Sequence, residues 1–328
     1  MISLKDRVEG FLDGDWTEVK RLQGLTGGAR AYFLSLLTNG AGRPLVVLAP
    51  STKEAEVLYQ DLFFFLGENE LAAPLEKRLH LYPAWDILPF EKLSPHPELM
   101  AARMEGLYHL VEGQSPILVS TPTALVQKVL PKDALRRSIL YHGVGEELPR
   151  ENILKHLAGW GYQNVPLVEE RGDFSVRGGI LDIFPPAYQH PLRLEFLADR
   201  LESVRTFDPS TQRSLCEHQE FLILPVREFF LAPQPDRQVL QAIDARAEEL
   251  NLPRRERNSL LNALADGIPF AGMESLVPYF YPALDSIFSY LPAETLLWFD
   301  GPDPIEEEIE RWHKLVRERE AKARQEER

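Results

Sequence analysis

The chain is 328 residues long and 44% hydrophobic, with 50 Asp and Glu against 36 Lys and Arg, a net charge of −14. That length calls for two or three domains, because a single core stops growing near about 250 to 300 residues. The acidic balance argues against a duplex-DNA clamp, whose affinity comes from Lys and Arg on phosphates, although a local basic patch stays compatible with it.

The one cysteine, Cys216, excludes a disulfide framework and any Cys-based zinc or iron–sulfur site, and fits a reducing, cytoplasmic setting. The N-terminus carries acids where a signal peptide needs an apolar core, and no run of about 18 apolar residues occurs, so neither export nor a membrane partner is expected.

In chain order, a short opening helix is followed by a strand from Trp16 to Leu25, a Gly-rich turn at Thr26 to Arg30 and a helix from Ala31 to Leu37. Pro44 to Ala49 is an unbroken apolar run of the kind buried on both faces of a sheet. The next helix sets Ala55, Leu58, Leu62, Phe65 and Leu66 on one stripe, and a second sets Met100, Met104, Leu107, Tyr108 and Val111 on one face. That second helix feeds the strand Ile117 to Ser120, after which Thr121 and Pro122 are N-cap and N1 signals for a helix ending near Leu130. Alternating strands and helices predict a parallel sheet covered by helices.

Near Pro131 the texture changes. One helix, Pro149 to Trp160, precedes short strands at Phe174 to Arg177, Ile180 to Phe184, Leu192 to Leu197 and Leu201 to Phe207, an antiparallel meander with Gly, Asp and Pro in its turns. After Pro225 the chain reads as helical, crosses a polar stretch from Leu250 to Asn258, and returns to one apolar strand, Thr295 to Phe299. The charged tail from Ile305 has Ile309, Trp312 and Val316 as a thin stripe, and a helix ending in charge without a cap reads as a boundary inside a longer protein.

Gly24 to Ala31 sits between predicted strand and helix, where a P-loop wraps phosphates with backbone N–H groups. Gly24, Gly27 and Gly28 give the loop its freedom. Ala29, however, puts a methyl where the second Gly of G-x-x-x-x-G-K-[ST] belongs, Arg30 replaces the Lys, and Ala31 cannot ligand Mg²⁺. A tight strand-to-helix turn is favoured over an ATP site, with room left for weak anion binding. Asp300 ends the returning strand where an active ATPase has an acid followed by Glu; here Gly301 follows. Neither a cofactor nor a metal site is expected, since the eight His are scattered and no paired carboxylates or nucleophile elbow stand out.

The sharper feature is a sheet face. In Leu192 to Leu197, period two sends Leu192, Leu194 and Phe196 one way and Arg193 and Glu195 the other, with Arg177 and Arg205 on the neighbouring strands. A solvated polar face with scattered ion pairs is the ordinary expectation. Arg rather than Lys, with Phe and Leu alongside, favours a compact exposed patch that serves as a protein interface.

Glu170 to Pro185 (ERGDFSVRGGILDIFP), Leu192 to Phe196 (LRLEF) and Phe207 to Arg213 (FDPSTQR) together closely resemble the UvrA-binding domain shared by UvrB and the bacterial transcription-repair coupling factors. Leu81 to Phe90 (LYPAWDILPF), with Ser94, Pro95 and His96, is similar to the coupling factors' own version of the first domain. UvrB has an intact P-loop and a long aromatic hairpin, and this chain has neither. The resemblance implies an α/β protein: a degenerate P-loop helicase-like domain over residues 1–135, an inserted α+β UvrA-binding domain with an antiparallel sheet over 136–225, and a mostly helical segment with the returning strand over 226–328. It implies non-catalytic recruitment of UvrA to RNA polymerase stalled at a lesion, with Arg177 and Arg193 contacting UvrA and Phe196, Leu197 and Arg205 beside them. Leu197 stands where a second aromatic is common. ATP, Mg²⁺, RNA polymerase and duplex DNA would belong to translocase and polymerase-binding domains that follow in the family, one of which would mask this face. The rival is a UvrB-like ATPase acting on damaged DNA, which needs Lys and Ser or Thr where Arg30 and Ala31 stand.

Overall fold

The computed structural model describes residues 19–68, 74–229 and 236–326. In chain order its main elements begin with α1 (Gly28–Ala41), β1 (Leu45–Leu48), α2 (Thr52–Leu66), β2 (Leu79–Tyr82), α3 (Pro97–Val111), β3 (Ile117–Ser120) and α4 (Pro122–Val126). Next come β4 (Leu140–Gly143), α5 (Arg150–Gly159), β5 (Gln163–Asn164), β6 (Asp173–Arg177), β7 (Ile180–Ile183), β8 (Leu192–Leu197), β9 (Arg200–Phe207), β10 (Ser214–His218) and β11 (Glu220–Ile223). The last are α6 (Arg237–Glu249), α7 (Arg254–Ala265), β12 (Leu296–Phe299) and α8 (Pro302–Glu326). The chain divides into two units. One takes the residues up to Ala84, Gly106–Gln127 and Ser286–His313; the other takes Trp85–Glu105, Lys128–Asp285 and the chain from Lys314 on.

In the first unit, β12, β1, β3 and β2 lie in that order in a wholly parallel sheet, with Leu45 paired to both Leu296 and Ile117. Every residue of β1 and β3 is buried, as the unbroken apolar runs require of strands covered on both faces. Leu34 of α1 and Leu58 and Leu62 of α2 pack with Leu45, Val47, Ile117 and Val119. Helix α2 starts after the N-cap Ser51, whose hydroxyl accepts from the Glu54 N–H at 3.3 Å and donates to the Glu54 carboxylate at 2.9 Å. It ends at Gly67, in the left-handed conformation.

The described part of the strand expected from Trp16 to Leu25 is not a strand. Residues 16–18, like the opening helix, lie outside the described residues, and 19–25 carry no strand. Val19 and Leu22 are exposed, so this stretch has no buried face to hold it to a ladder. The described sheet therefore begins at Leu45, and β12 pairs with β1 rather than with a strand near Trp16. Strand β2 was not expected, because Leu79-His-Leu-Tyr82 is short and followed at once by Pro83. Phe65, predicted to face inward on α2, is exposed and stacks with Tyr32 at a centroid distance of 5.4 Å.

The second unit holds a six-stranded sheet in the order β10, β9, β8, β7, β6, β5, antiparallel except for the β5–β6 pair. The expected meander is its centre. Leu181, Ile183, Leu192, Leu194, Phe196, Leu201 and Val204 form one face, and Ile153, Leu157 and Trp160 from α5 and its end join them in a core. Strands β4 and β11 make a separate antiparallel pair. Helices α6 and α7 contribute Ile243 and Leu264 to a further cluster with Phe229 and Met273. Helix α7 starts at Arg254, inside the stretch read as a polar crossing, because Leu260, Leu261 and Leu264 supply a buried stripe to a helix that opens in charge.

Candidate protein-interaction face

The hairpin joining β6 to β7 turns at Gly178 and Gly179. Gly178 takes a φ of +58°, and a Cβ on Gly179 would meet the Phe196 carbonyl oxygen at 2.6 Å, so both positions are reserved for glycine. This close approach lets the Phe196 N–H donate to the Gly179 carbonyl at 2.8 Å, fixing β8 against the hairpin. With that register set, Asp182 of β7 lies opposite Arg193 of β8, and Arg193 opposite Arg205 of β9.

Arg193 is not an exposed arginine. Its Nε donates to Asp182 Oδ1 at 2.7 Å and its Nη2 to Oδ2 at 2.9 Å, a two-pronged pair. Nη2 also reaches Gln212 Oε1 at 3.3 Å, and Nη1 the Gln212 carbonyl at 3.4 Å. The guanidinium lies 4.4 Å from the centre of the Phe207 ring. Only 15% of the side chain is exposed, and 1% of Asp182. Bonds to Asp182 hold the Arg193 pKa above its already high value.

Arg177, 47% exposed, forms an ion pair with the same carboxylate, donating from Nη2 to Oδ2. Arg205 sits between Glu195 at 3.3 Å and Glu217 at 3.2 Å. The expected compact basic patch is thus an interlaced array in which Arg177, Arg193 and Arg205 are matched by Asp182, Glu195 and Glu217. Asp182 escaped the sequence reading because it stands in Ile180-Leu-Asp-Ile183, a run that reads as core strand; only the register of β7 against β8 sets it beside Arg193.

Phe196 is 8% exposed and belongs to the core, so the pleat that aims Arg193 outward turns Phe196 away from any partner. Leu197, at 71% exposure, is the apolar side chain that this strand offers to solvent. It precedes the tight turn at Ala198, which adopts a φ of +55°.

The P-loop-like segment is a second cluster. Gly24 and Gly27 have φ of +84° and +54°, Gly27 and Gly28 open α1, and Arg30 forms an ion pair with Asp300, just beyond β12. Asp300 is held by its own N–H donating to the Leu48 carbonyl at 2.8 Å. Burial raises its carboxyl pKa, against the lowering effect of Arg30. Arg30 Nε is buried with no hydrogen-bond partner. The two halves that the sequence singled out separately do meet.

The LYPAWDILPF motif also finds its bonds. Trp85 Nε1 donates to Glu228 Oε1 at 2.9 Å, and the fully buried Arg103 reaches the same carboxylate, its Nη2 at 3.3 Å from Oε2. Ser94 donates to Glu274 at 2.7 Å and accepts the Gly272 N–H at 3.2 Å. These contacts tie the stretch after β2 to the segments following the six-stranded sheet, all within the second unit.

Residues 140–229, which contain the ion-paired face, match the family model described as the UvrB interaction domain. A transcription-repair-coupling factor of Myxococcus xanthus is 38% identical over 307 residues, covering 89% of this chain and 25% of the relative. That of Escherichia coli (strain K12) is 29% identical over 281 residues, covering 85% and 23%. The UvrABC system protein B of Dechloromonas aromatica is 27% identical over 333 residues, covering 91% and 46%. Residues 140–229 are thus similar to a UvrB interaction domain. Over most of its length the chain is similar to the transcription-repair-coupling factors, and it spans about a quarter of the length of those it matches.

Proposed function

We propose that this chain recruits UvrA through the outer face of its six-stranded sheet, as the UvrB-homology portion of a transcription-repair coupling protein. The observation that carries the reading is the UvrB interaction domain match over residues 140–229, which spans every residue of the Arg177, Asp182, Arg193 and Leu197 cluster. In this reading residues 136–225 are the recruiting domain, 1–135 a helicase-like domain with a degenerate P-loop, and 226–328 its helical flank and returning strand. RNA polymerase, duplex DNA, ATP and Mg²⁺ are the business of domains beyond this chain, and one of these covers the face until it is needed.

The chain itself is proposed to be non-catalytic. Arg30 and Asp300 satisfy each other where a working site holds a Lys and a Mg²⁺-binding acid, and neither Ala31 nor Gly301 supplies a metal ligand or base. The likeness to a UvrABC system protein B motivates the rival, an ATPase acting on damaged DNA. Calorimetric titration of the chain with purified UvrA, beside an ATP-turnover assay, separates them. Saturable UvrA binding without turnover is expected; turnover lost on Arg30→Ala, with no UvrA binding, would favour the rival.

A further inference from the structure

The ion pairs at Asp182 divide labour between the two arginines in a way that resemblance alone does not assign. Arg193 spends three of its five N–H donors on Asp182 and Gln212 through Nε and Nη2, a fourth leans on the Gln212 carbonyl, and the guanidinium lies over the Phe207 ring. Little of it is left for a partner. Arg177 shares only one oxygen of Asp182 and turns the rest of its guanidinium to solvent.

A third arginine enters here. Arg150, the first residue of α5, donates from Nη1 to the Gly178 carbonyl and so holds the turn that follows Arg177. Leu197 stands at the same end of the sheet, since its neighbour Phe196 bonds the Gly179 carbonyl. Arg150, Arg177 and the exposed Leu197 therefore frame one end of the face. The middle of the sheet, by contrast, is neutralised by Asp182, Glu195 and Glu217.

We propose that Asp182 is the positioning residue of the recruiting face, a buried carboxylate that holds Arg193 as an internal strut and aims Arg177 outward. With Arg150 and Leu197 it then presents a cationic and apolar contact to an acidic segment of the partner that carries an apolar side chain beside its carboxylate. This rests on the reading that the face recruits UvrA. The physical reason is preorganisation: a guanidinium fixed by a carboxylate on the next strand loses less side-chain freedom on binding, and burial keeps that carboxylate from competing with the partner's own.

The test measures UvrA affinity by calorimetry for the whole chain carrying Arg177→Ala, Asp182→Asn, both together, or Arg150→Ala, with circular dichroism confirming the fold of each. Arg177→Ala, Arg150→Ala and Asp182→Asn are each expected to weaken binding about tenfold or more, as loss of a close charge contact does. Asp182→Asn is expected to add little in the Arg177→Ala background, because it acts through that arginine. A merely structural role would give equal factors in both backgrounds. The Arg193 Nε–H resonance is expected to be protected from solvent exchange in the parent chain and to lose that protection in Asp182→Asn. Should Asp182→Asn not fold, replacing both partners of the internal pair (Asp182→Leu with Arg193→Met) removes the carboxylate without leaving an unpaired charge and is expected to weaken binding likewise. If Arg177→Ala binds UvrA as the parent does, the face itself is misassigned. If Arg177→Ala fails but the Asp182 variants bind normally, or the two losses multiply independently, the positioning role is wrong and the face stands.

Discussion

Arg30, near the start of α1, and Asp300, just beyond β12, are 270 residues apart in the chain and form an ion pair. On the proposed reading of Gly24 to Ala31 as a degenerate P-loop, this guanidinium stands where a lysine ammonium would face a phosphate. Conversion of Arg30 to Lys and Ala31 to Thr is therefore expected to yield no ATP turnover, because Gly301 still offers no base to activate water. A coupled-enzyme ATPase assay checks this, and measurable turnover in that double variant would contradict it.

The two arginines on Asp182 should separate cleanly in stability measurements. Arg193→Ala strips a 1% exposed carboxylate of its two-pronged partner, and breaking such a buried pair costs about 3 to 5 kcal/mol when nothing replaces it. The retained Arg177 contact brings the expected loss toward the low end. Arg177→Ala removes a half-exposed partner and should cost no more than about 1 kcal/mol. Urea denaturation followed by circular dichroism measures both, and equal costs would argue against the internal-strut geometry.

Stability should fall in mild acid through two histidines of the first unit. His80 of β2 and His109 of α3 are buried with ring centres 4.2 Å apart. Burial pushes both imidazoles below their ordinary 6.5, His80 further, helped by His109 itself. The unfolded chain then takes up protons at a pH where the folded chain does not, so this contribution is complete above 6.5 and declines as pH falls below it, until the depressed folded values are passed. Glu68 and Asp300, whose carboxyls burial raises, act in the opposite sense in more acidic solution. Thermal midpoints taken between about pH 7.5 and about pH 5.5 should drop, and drop less when both histidines are changed to Gln.

The glycine pair offers a steric test. Gly179→Ala forces a methyl to within 2.6 Å of the Phe196 carbonyl and must displace β8, an expected loss of more than about 2 kcal/mol. At Gly178 nothing lies within 4 Å of an added Cβ, so only its positive φ resists, and Gly178→Ala should cost about 1 kcal/mol. Chemical denaturation of the two variants gives the order directly.

Much of the architecture was legible because the strands carry strong patterns. The runs Leu45–Leu48 and Ile117–Ser120 are apolar throughout, and Leu192–Leu197 alternates without a break, so their faces follow from period alone. Leu79–Tyr82 hid because its His80 is an apolar-site residue only once buried beside His109. The stretch near Trp16 misled in the other direction: a β-like sequence with no strand partner for its described residues. Of the candidate face, the direction of Arg193 was readable and its occupancy was not. The missing information was the identity of the residue opposite it on the adjacent strand, which no local pattern contains.

The pairing of β1 with β12 sets an order on synthesis. Leu45 and Val46 emerge from the ribosome early and find β3 within a short stretch of chain, but their neighbours on the other side, Leu296 and Leu297, arrive only after the entire six-stranded sheet has been made. The strands of the six-stranded sheet come from residues 163–218, and Glu147, which bridges to Arg200, lies earlier still, so its ladder is complete while one flank of β1 is still bare. A nascent chain paused before residue 296 would therefore carry a fully paired six-stranded sheet while β1 still presented an open apolar edge. An unpaired apolar edge of that kind is the feature of a growing chain most open to aggregation.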